Sequence, residues 1–410
     1  MAHPATTAAL AFALLLPLSC GSDDAPEATP GGAAAGPRPP AGGETGDSGT
    51  TPVLPPPADS DGSVGDGAPA AVTCAPSSAL TIFPRVGDAS DDARGPAGPG
   101  LVLMGGGTDV DAAFTWLHDT IAGSATARAG DLVVLRASGD NAYDPYAYGV
   151  APFHSVRTVL IGAAATPGDL ACAAAIVARA EGVFFAGGDQ AKYFAWKGSS
   201  LMAEVQKVYD RGGVVGGTSA GCAILGGFAY DALAAGASNV ATSDAIADPF
   251  EGAITFTRGM LAFPPLAGAM TDPHFRPRDR MGRLATFLAR QHADGAVTRN
   301  PAAALGIGVD EKAAIVIDKS GVAKLLQQVP GTGSAFFVRG GVPDHCVAGS
   351  PLVYRKLLVT RLDSSAQTFS LSSWCGTGTV YTMNVFGDAP PPYQPSNPYT
   401  ATSDGSVCSP

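Results

Sequence analysis

Charge is scarce in this sequence, and what there is leans acidic. Only 15% of the 410 residues are Asp, Glu, Lys or Arg, with 25 bases against 36 acids. A chain that grips a phosphate backbone needs a basic face, so nucleic acid is excluded as a partner. The seven cysteines show no C-x-x-C spacing, which removes the usual zinc knuckle. The glycine triplet Gly105–Gly107 is followed neither by the Lys-Ser/Thr of a phosphate loop nor by G-x-G-x-x-G spacing. No metal and no nucleotide cofactor is therefore expected. Internal repeats of fixed period are also absent.

The apolar run Ala8–Leu18 is too short to span a bilayer. It ends in Ser19-Cys20-Gly21 and reads as a secretory signal, residues 1–20, with a lipoprotein-like cleavage box. Cys20 would then carry lipid and attach the chain to a membrane. The absence of Lys or Arg ahead of the run, and Pro17 within the box, depart from that pattern. Residues 21–72 are Gly, Pro, Ala, Ser, Thr and Asp with almost nothing large and apolar, a composition that reads as a flexible acidic tether. Residues 1–72 hold eight of the acids and one base, so the remainder is nearly balanced.

The folded part is expected over 73–389, followed by a Pro-rich tail at 390–410. Leu101–Met104, Asp131–Leu135, Thr158–Ile161 and Gly182–Phe185 read as continuous apolar strands, with helices expected at Asp109–Ile121 and Ser200–Tyr209. Strands of that kind alternating with helices predict a parallel sheet covered on both faces. After Ile317 the pattern turns to hairpin-like alternation, as in Ser334–Arg339 and Leu352–Arg361, which predicts added antiparallel strands in the same domain.

At the centre lies Val214-Val215-Gly216-Gly217-Thr218-Ser219-Ala220-Gly221-Cys222, a strand running into G-x-S-x-G and then a helix former. In that context the pattern is a nucleophile elbow, which lifts the Ser219 hydroxyl clear of the sheet. The Ala220 N–H, at a helix start, is then a candidate oxyanion donor, and the Gly188 N–H of the neighbouring strand end is the candidate second donor. Among six histidines, His274 stands out in Thr271-Asp272-Pro273-His274-Phe275-Arg276-Pro277-Arg278-Asp279-Arg280-Met281-Gly282-Arg283. An acyl transfer needs such a base beside the hydroxyl and a third group to fix its tautomer. Arginine forks suit carboxylates, so an anionic ligand fits this stretch; salt bridges among its own residues are the alternative.

Four motifs occur in order: Gly187-Gly188-Asp189-Gln190; Gly217–Gly221; Asp272-x-His274-Phe275 with Arg278, Arg280 and Gly282-Arg283-Leu284; and Gly306-Ile307-Gly308-Val309-Asp310-Glu311. Together they resemble the cyanophycinase branch of the serine peptidase family that includes bacterial aspartyl dipeptidases, over about residues 100–317. The resemblance implies a three-layer α/β/α sandwich related to class I glutamine amidotransferases. It implies Ser219 as nucleophile, His274 as base, and Gln190, Asp272, Arg278, Arg280 and Arg283 as residues lining the substrate site. Pro273 stands where cyanophycinases carry a polar side chain. The family's triad acid is a Glu followed closely by Pro, and the nearest match, Ser243–Pro249, favours Asp244, with Asp248 and Asp231 as alternatives. The implied substrate is a peptide or polymer rich in aspartate, cyanophycin or an aspartyl dipeptide, and the family's dimers are a precedent for a homodimer. A catalytically silent surface binding protein is the alternative from another class; retention of Ser219 and His274 favours the enzyme.

Six cysteines besides Cys20 fit an oxidising compartment. Their positions suggest Cys346–Cys375 and Cys74–Cys408 as disulfides, with Cys222 a buried thiol.

Overall fold

The structure, a computed structural model, describes residue 74 and residues 77–234, 240–297 and 303–408. The expected signal, Cys20 and the acidic tether lie outside the described residues.

Five parallel strands form the heart of an eleven-stranded sheet. Across the sheet they run Ser155–Ile161, Asp131–Arg136, Gly182–Phe185, Val214–Thr218 and Gly100–Met104. Antiparallel strands flank them, Leu80–Ile82 on one side and Ala313–Ile317 then Val322–Gln327 on the other. The parallel strands are buried on both faces because side chains alternate. Leu101, Leu103, Val133, Leu135 and Val183 join one core, and Val102, Met104, Leu132, Val134 and Phe184 the other. Each fully buried side chain of this kind contributes about 1.5–3 kcal/mol. This is an α/β fold.

Helices fill both cores, and their ends follow from sequence. Pro167–Val177 starts with a capping box between Thr166 and Asp169 and a proline in its first turn. Ser200–Asp210 is capped by Ser199, whose hydroxyl accepts from Met202 N, and it buries Leu201, Val205 and Val208 along one stripe. Both pack against the first core, while Phe114 and Leu117 of Asp111–Ala122 and Ala147 of Tyr143–Val150 fill the second.

A second sheet of six strands runs Ala269–Asp272, Ala304–Val309, Ala335–Gly340, Val353–Leu362, Thr379–Phe386 and Tyr393–Gln394. Only its first pair is parallel. The chain crosses from this sheet to the first through residues 310–312, between Val309 and Ala313.

Two expectations need correction. The segment from Pro390 is not a separate tail: Tyr393–Gln394 pairs with Thr379–Phe386, and Tyr393 and Ala401 belong to the core of the second sheet. The disulfides are Cys74–Cys172 and Cys375–Cys408, not Cys346–Cys375 and Cys74–Cys408. Pairing of Leu80–Ile82 with Ser155–Ile161 carries Cys74 to the adjoining Pro167–Val177 helix, and the packed C-terminal segment carries Cys408 to Cys375. Cys346 is a free, half-buried thiol.

Candidate active site

Ser219 follows directly on the Val214–Thr218 strand with φ 52° and ψ −118°, outside the regions an L-residue favours. Its N–H donates to Met104 O of the neighbouring strand at 3.1 Å, which holds the turn against the sheet. Small neighbours make the turn feasible: a methyl group on Gly221 would stand 2.7 Å from Phe185 Cβ. The strand, sharp turn and short helix Ala220–Ala223 form the elbow that the sequence predicts.

His274 lies just beyond the Ala269–Asp272 strand, also at positive φ, 49°. Its Nε2 is 2.6 Å from Ser219 Oγ, and its Nδ1 is 2.7 Å from Glu311 Oε1. Serine, histidine and carboxylate thus form one continuous relay. Glu311 sits in the 310–312 crossing between the sheets. Burial, followed by the charge of Arg278, pushes the His274 imidazole down to about 4, and the Glu311 hydrogen bond opposes them. The imidazole is therefore neutral, the form a general base needs, across the whole range above that value.

Asp244 does not complete this relay. It is exposed on the Thr242–Ala247 helix and takes a hydrogen bond from Ser243 Oγ at 3.3 Å. The two alternatives are committed elsewhere as well. Asp231 accepts from the hydroxyls of Thr255 and Thr257, and Asp248 from the N–H groups of Phe250 and Gly349. The physical reason is topological, since His274 Nδ1 faces the inter-sheet crossing.

The glycine triplet proves to be the stitching of the site. Three successive carbonyls of one loop accept from the three segments of the relay: Met104 O from Ser219 N at 3.1 Å, Gly105 O from His274 N at 2.8 Å, and Gly106 O from Lys312 N at 3.0 Å. Gly106, at φ +91°, lies flat against the imidazole, and a methyl group there would stand 2.6 Å from His274 Nε2. Asp109 at the end of this loop accepts the Tyr143 hydroxyl at 2.6 Å, and burial pushes its carboxyl up to about 6.

Asp310, 2% exposed, ties the base to the acid. Its Oδ1 accepts from Arg276 N at 2.8 Å, and its Oδ2 accepts from Ser334 N at 2.9 Å and faces Arg276 Nε at 3.3 Å.

The arginines divide into two kinds. Asp272, 3% exposed, is paired with both Arg280 Nη1, at 3.4 Å, and Arg283, whose Nε lies at 3.2 Å and whose Nη2 contacts the other carboxylate oxygen. Arg280 also donates to Pro273 O at 2.9 Å and Arg283 to Val240 O at 3.3 Å. Arg283 lies over the Tyr230 and Phe287 rings. Both are 7% exposed or less, so they brace the loop from behind. Arg278 is exposed, and among the described residues its guanidinium has no carboxylate partner. Gln190 spends its amide N–H on Tyr230 O at 2.7 Å, linking the Gly187–Gln190 turn to the Phe228–Tyr230 strand. In that turn Gly187 faces Ser219, 3.4 Å from its Cβ to a methyl group placed there, and Gly188 is exposed at φ +135°. Cys222 is fully buried and its thiol is pushed up by that burial, which leaves it no role as a rival nucleophile.

Comparison with known proteins bears on this arrangement. Over 159 residues the chain is 31% identical to a cyanophycinase of Trichormus variabilis, a stretch covering 38% of this chain and 44% of that protein. Over 164 residues it is 29% identical to a cyanophycinase of Synechococcus elongatus, covering 40% and 42%. The chain is related to the cyanophycinases. The match spans less than half the length of these relatives. No family model matches. Among solved structures, a peptidase from an acI-B1 Actinobacterium aligns with 68% of this chain and 98% of its own, at 14% identity and a TM-score of 0.41. A score of that size leaves the fold to be judged from the chain's own strands.

Sequence reasoning missed Glu311, the glycine loop and Asp310. The signal for Glu311 lay in Gly306–Glu311, whose alternating glycines precede two adjacent carboxylates.

Proposed function

We propose that this chain is a serine-type peptidase of the cyanophycinase kind, acting on aspartate-based peptides, with cyanophycin as its polymer substrate. The relay from Ser219 Oγ through His274 to Glu311 carries the reading. Ser219 Oγ attacks the scissile carbonyl while His274 Nε2 takes its proton. Glu311 accepts the Nδ1–H and so fixes the imidazole with Nε2 free. The N–H groups of Ala220 and Gly188 stabilise the oxyanion. His274 then returns the proton to the leaving amine, and water repeats the sequence on the acyl-enzyme. Arg278 supplies a positive charge for a substrate carboxylate, whereas Arg280 and Arg283 are held by Asp272. The scaffold fits a three-layer α/β/α sandwich with added C-terminal strands. Export, with lipid on Cys20, accords with the two disulfides.

The test is incubation with cyanophycin granules. They should clear and release aspartyl-arginine dipeptides, Ser219 should take a fluorophosphonate label, and Ser219→Ala should abolish both. Hydrolysis of short aspartyl dipeptides with granules untouched would move the substrate to that class. A folded protein with no labelling at Ser219 would refute the serine mechanism.

A further inference from the structure

Arg278 is followed directly by a carboxylate, Asp279, yet the two do not pair. The C-terminal segment explains why. Tyr399 Oη donates to Asp279 Oδ1 at 2.7 Å, and Tyr393 Oη donates to the same oxygen at 3.1 Å. Each hydroxyl also accepts a helix-start N–H: Tyr399 from Met281 at 2.9 Å and Tyr393 from Gly282 at 3.1 Å. The Met281–Ala293 helix has no side-chain cap of the ordinary kind, so these phenols satisfy two of its orphan donors while holding the carboxylate. Gly282 permits the approach, since a methyl group there would stand 2.9 Å from Tyr393 Oη. Asp279 itself sits at φ 45°, a conformation its neighbours must hold. The segment is fixed in turn by Arg361 Nη1, which donates to Tyr399 O and Ala401 O at 2.9 Å each. Burial raises both phenols, so each keeps its proton at any ordinary pH.

We propose that the C-terminal segment is a specificity element of the site: through Tyr393 and Tyr399 it holds the exposed Asp279 carboxylate by Oδ1 and keeps the Arg278 guanidinium free for a carboxylate of the substrate. The proposal rests on the aspartate-based reading above. Tyr393 and Tyr399 are positioning residues, acting through Asp279 on Arg278. Without their hydroxyls the Asp279 carboxylate turns to the adjacent cation and competes with the ligand.

The experiment measures binding of fluorescein-labelled poly-L-aspartate to the full chain by anisotropy, which needs no turnover. Tyr393→Phe with Tyr399→Phe keeps both rings and should raise Kd roughly three- to fivefold, the strength of a solvent-exposed ion pair. Adding Asp279→Asn removes the competing charge and should restore Kd to within about twofold of the wild-type value. In an Arg278→Ala background the tyrosine changes should have no further effect. An unchanged Kd in the double variant would overturn the proposal. So would a raised Kd that persists after Asp279→Asn, since the tyrosines would then only hold the helix start. Failure of the hydrolase reading would appear separately, as absent labelling of Ser219 with this binding pattern intact.

Discussion

Gly106 offers a direct way to test whether the Ser219–His274 geometry is what the chain depends on. In Gly106→Ala the new methyl group would stand 2.6 Å from His274 Nε2 and 3.0 Å from Nδ1, where ordinary contact begins near 3.4 Å. His274 Cε1 would lie closer still, so the ring must retreat by about 1 Å, and it cannot do so without lengthening the 2.6 Å hydrogen bond to Ser219 Oγ or the 2.7 Å bond to Glu311. A misplacement of about 1 Å in a catalytic constellation costs on the order of a hundredfold in rate. Alanine at φ +91° also strains the backbone by about 1–2 kcal/mol, so loss of stability has to be separated from loss of geometry. Gly259→Ala supplies the control, because its φ is +64° and nothing lies within 4 Å of the added methyl group. The measurements are urea unfolding and the second-order rate of Ser219 labelling by a fluorophosphonate, for both variants. Gly259→Ala should lose about 1–2 kcal/mol of stability and Gly106→Ala at least that, since its methyl group also displaces the imidazole; only Gly106→Ala should lose roughly a hundredfold in labelling rate. Labelling of Gly106→Ala at the wild-type rate would refute the assignment of His274 as the base.

Two further outcomes follow from the relay. Glu311→Gln places an amide where the carboxylate stood and can hold the wrong imidazole tautomer, so kcat should fall roughly a thousandfold or more while Asp244→Asn leaves it unchanged; steady-state kinetics on cyanophycin would show which acid serves. The acid limb of kcat/KM should lie near pH 4, because His274 is held down to about 4 by burial and by Arg278: activity is present above that pH and is lost as the imidazole gains its proton below it. Arg278→Ala removes a charge that opposes protonation and should move the limb upward; an unmoved limb would refute that cause.

The parts of this site visible in the sequence are those set by local chemistry. A five-residue turn between an apolar strand and a helix former needs glycine on both sides of Ser219, and that need is written in consecutive positions. The buried strands were legible for the same reason, as short runs of apolar residues. What the sequence hid was pairing at a distance. Asp272 lies eight residues from Arg280 and eleven from Arg283, and nothing in the spelling distinguishes these two held arginines from the free Arg278. The family's Glu-then-Pro pattern points to Ser243–Pro249 and so to Asp244. Which acid reaches the imidazole is decided instead by where the chain crosses between sheets. The same holds for Cys74 and Cys408, whose partners depend on which elements pack together, and for residues from Pro390, whose prolines suggested a tail that the sheet absorbs.

The glycine loop also accounts for how a relay spread over two sheets is kept in register. Ser219 belongs to the end of a parallel strand in the first sheet. His274 follows the outermost strand of the second, and Glu311 lies on the crossing between them. Residues so placed would separate with any sliding of one sheet on the other. Met104, Gly105 and Gly106 prevent this, because their three carbonyls bond to Ser219, His274 and Lys312 in turn. Spacing along a peptide is fixed covalently, so the Ser219, His274 and Glu311 segments inherit that spacing. Asp310 adds a second tie between the His274 and Glu311 segments on the far side of the acid. The requirement for glycine then has two causes at one place. The backbone must present consecutive carbonyls to three different segments, and the imidazole occupies the space a side chain would fill. The glycine-rich turn after the Gly100–Met104 strand, which lacks the spacing of a phosphate cradle, is here the frame on which Ser219, His274 and Glu311 are aligned.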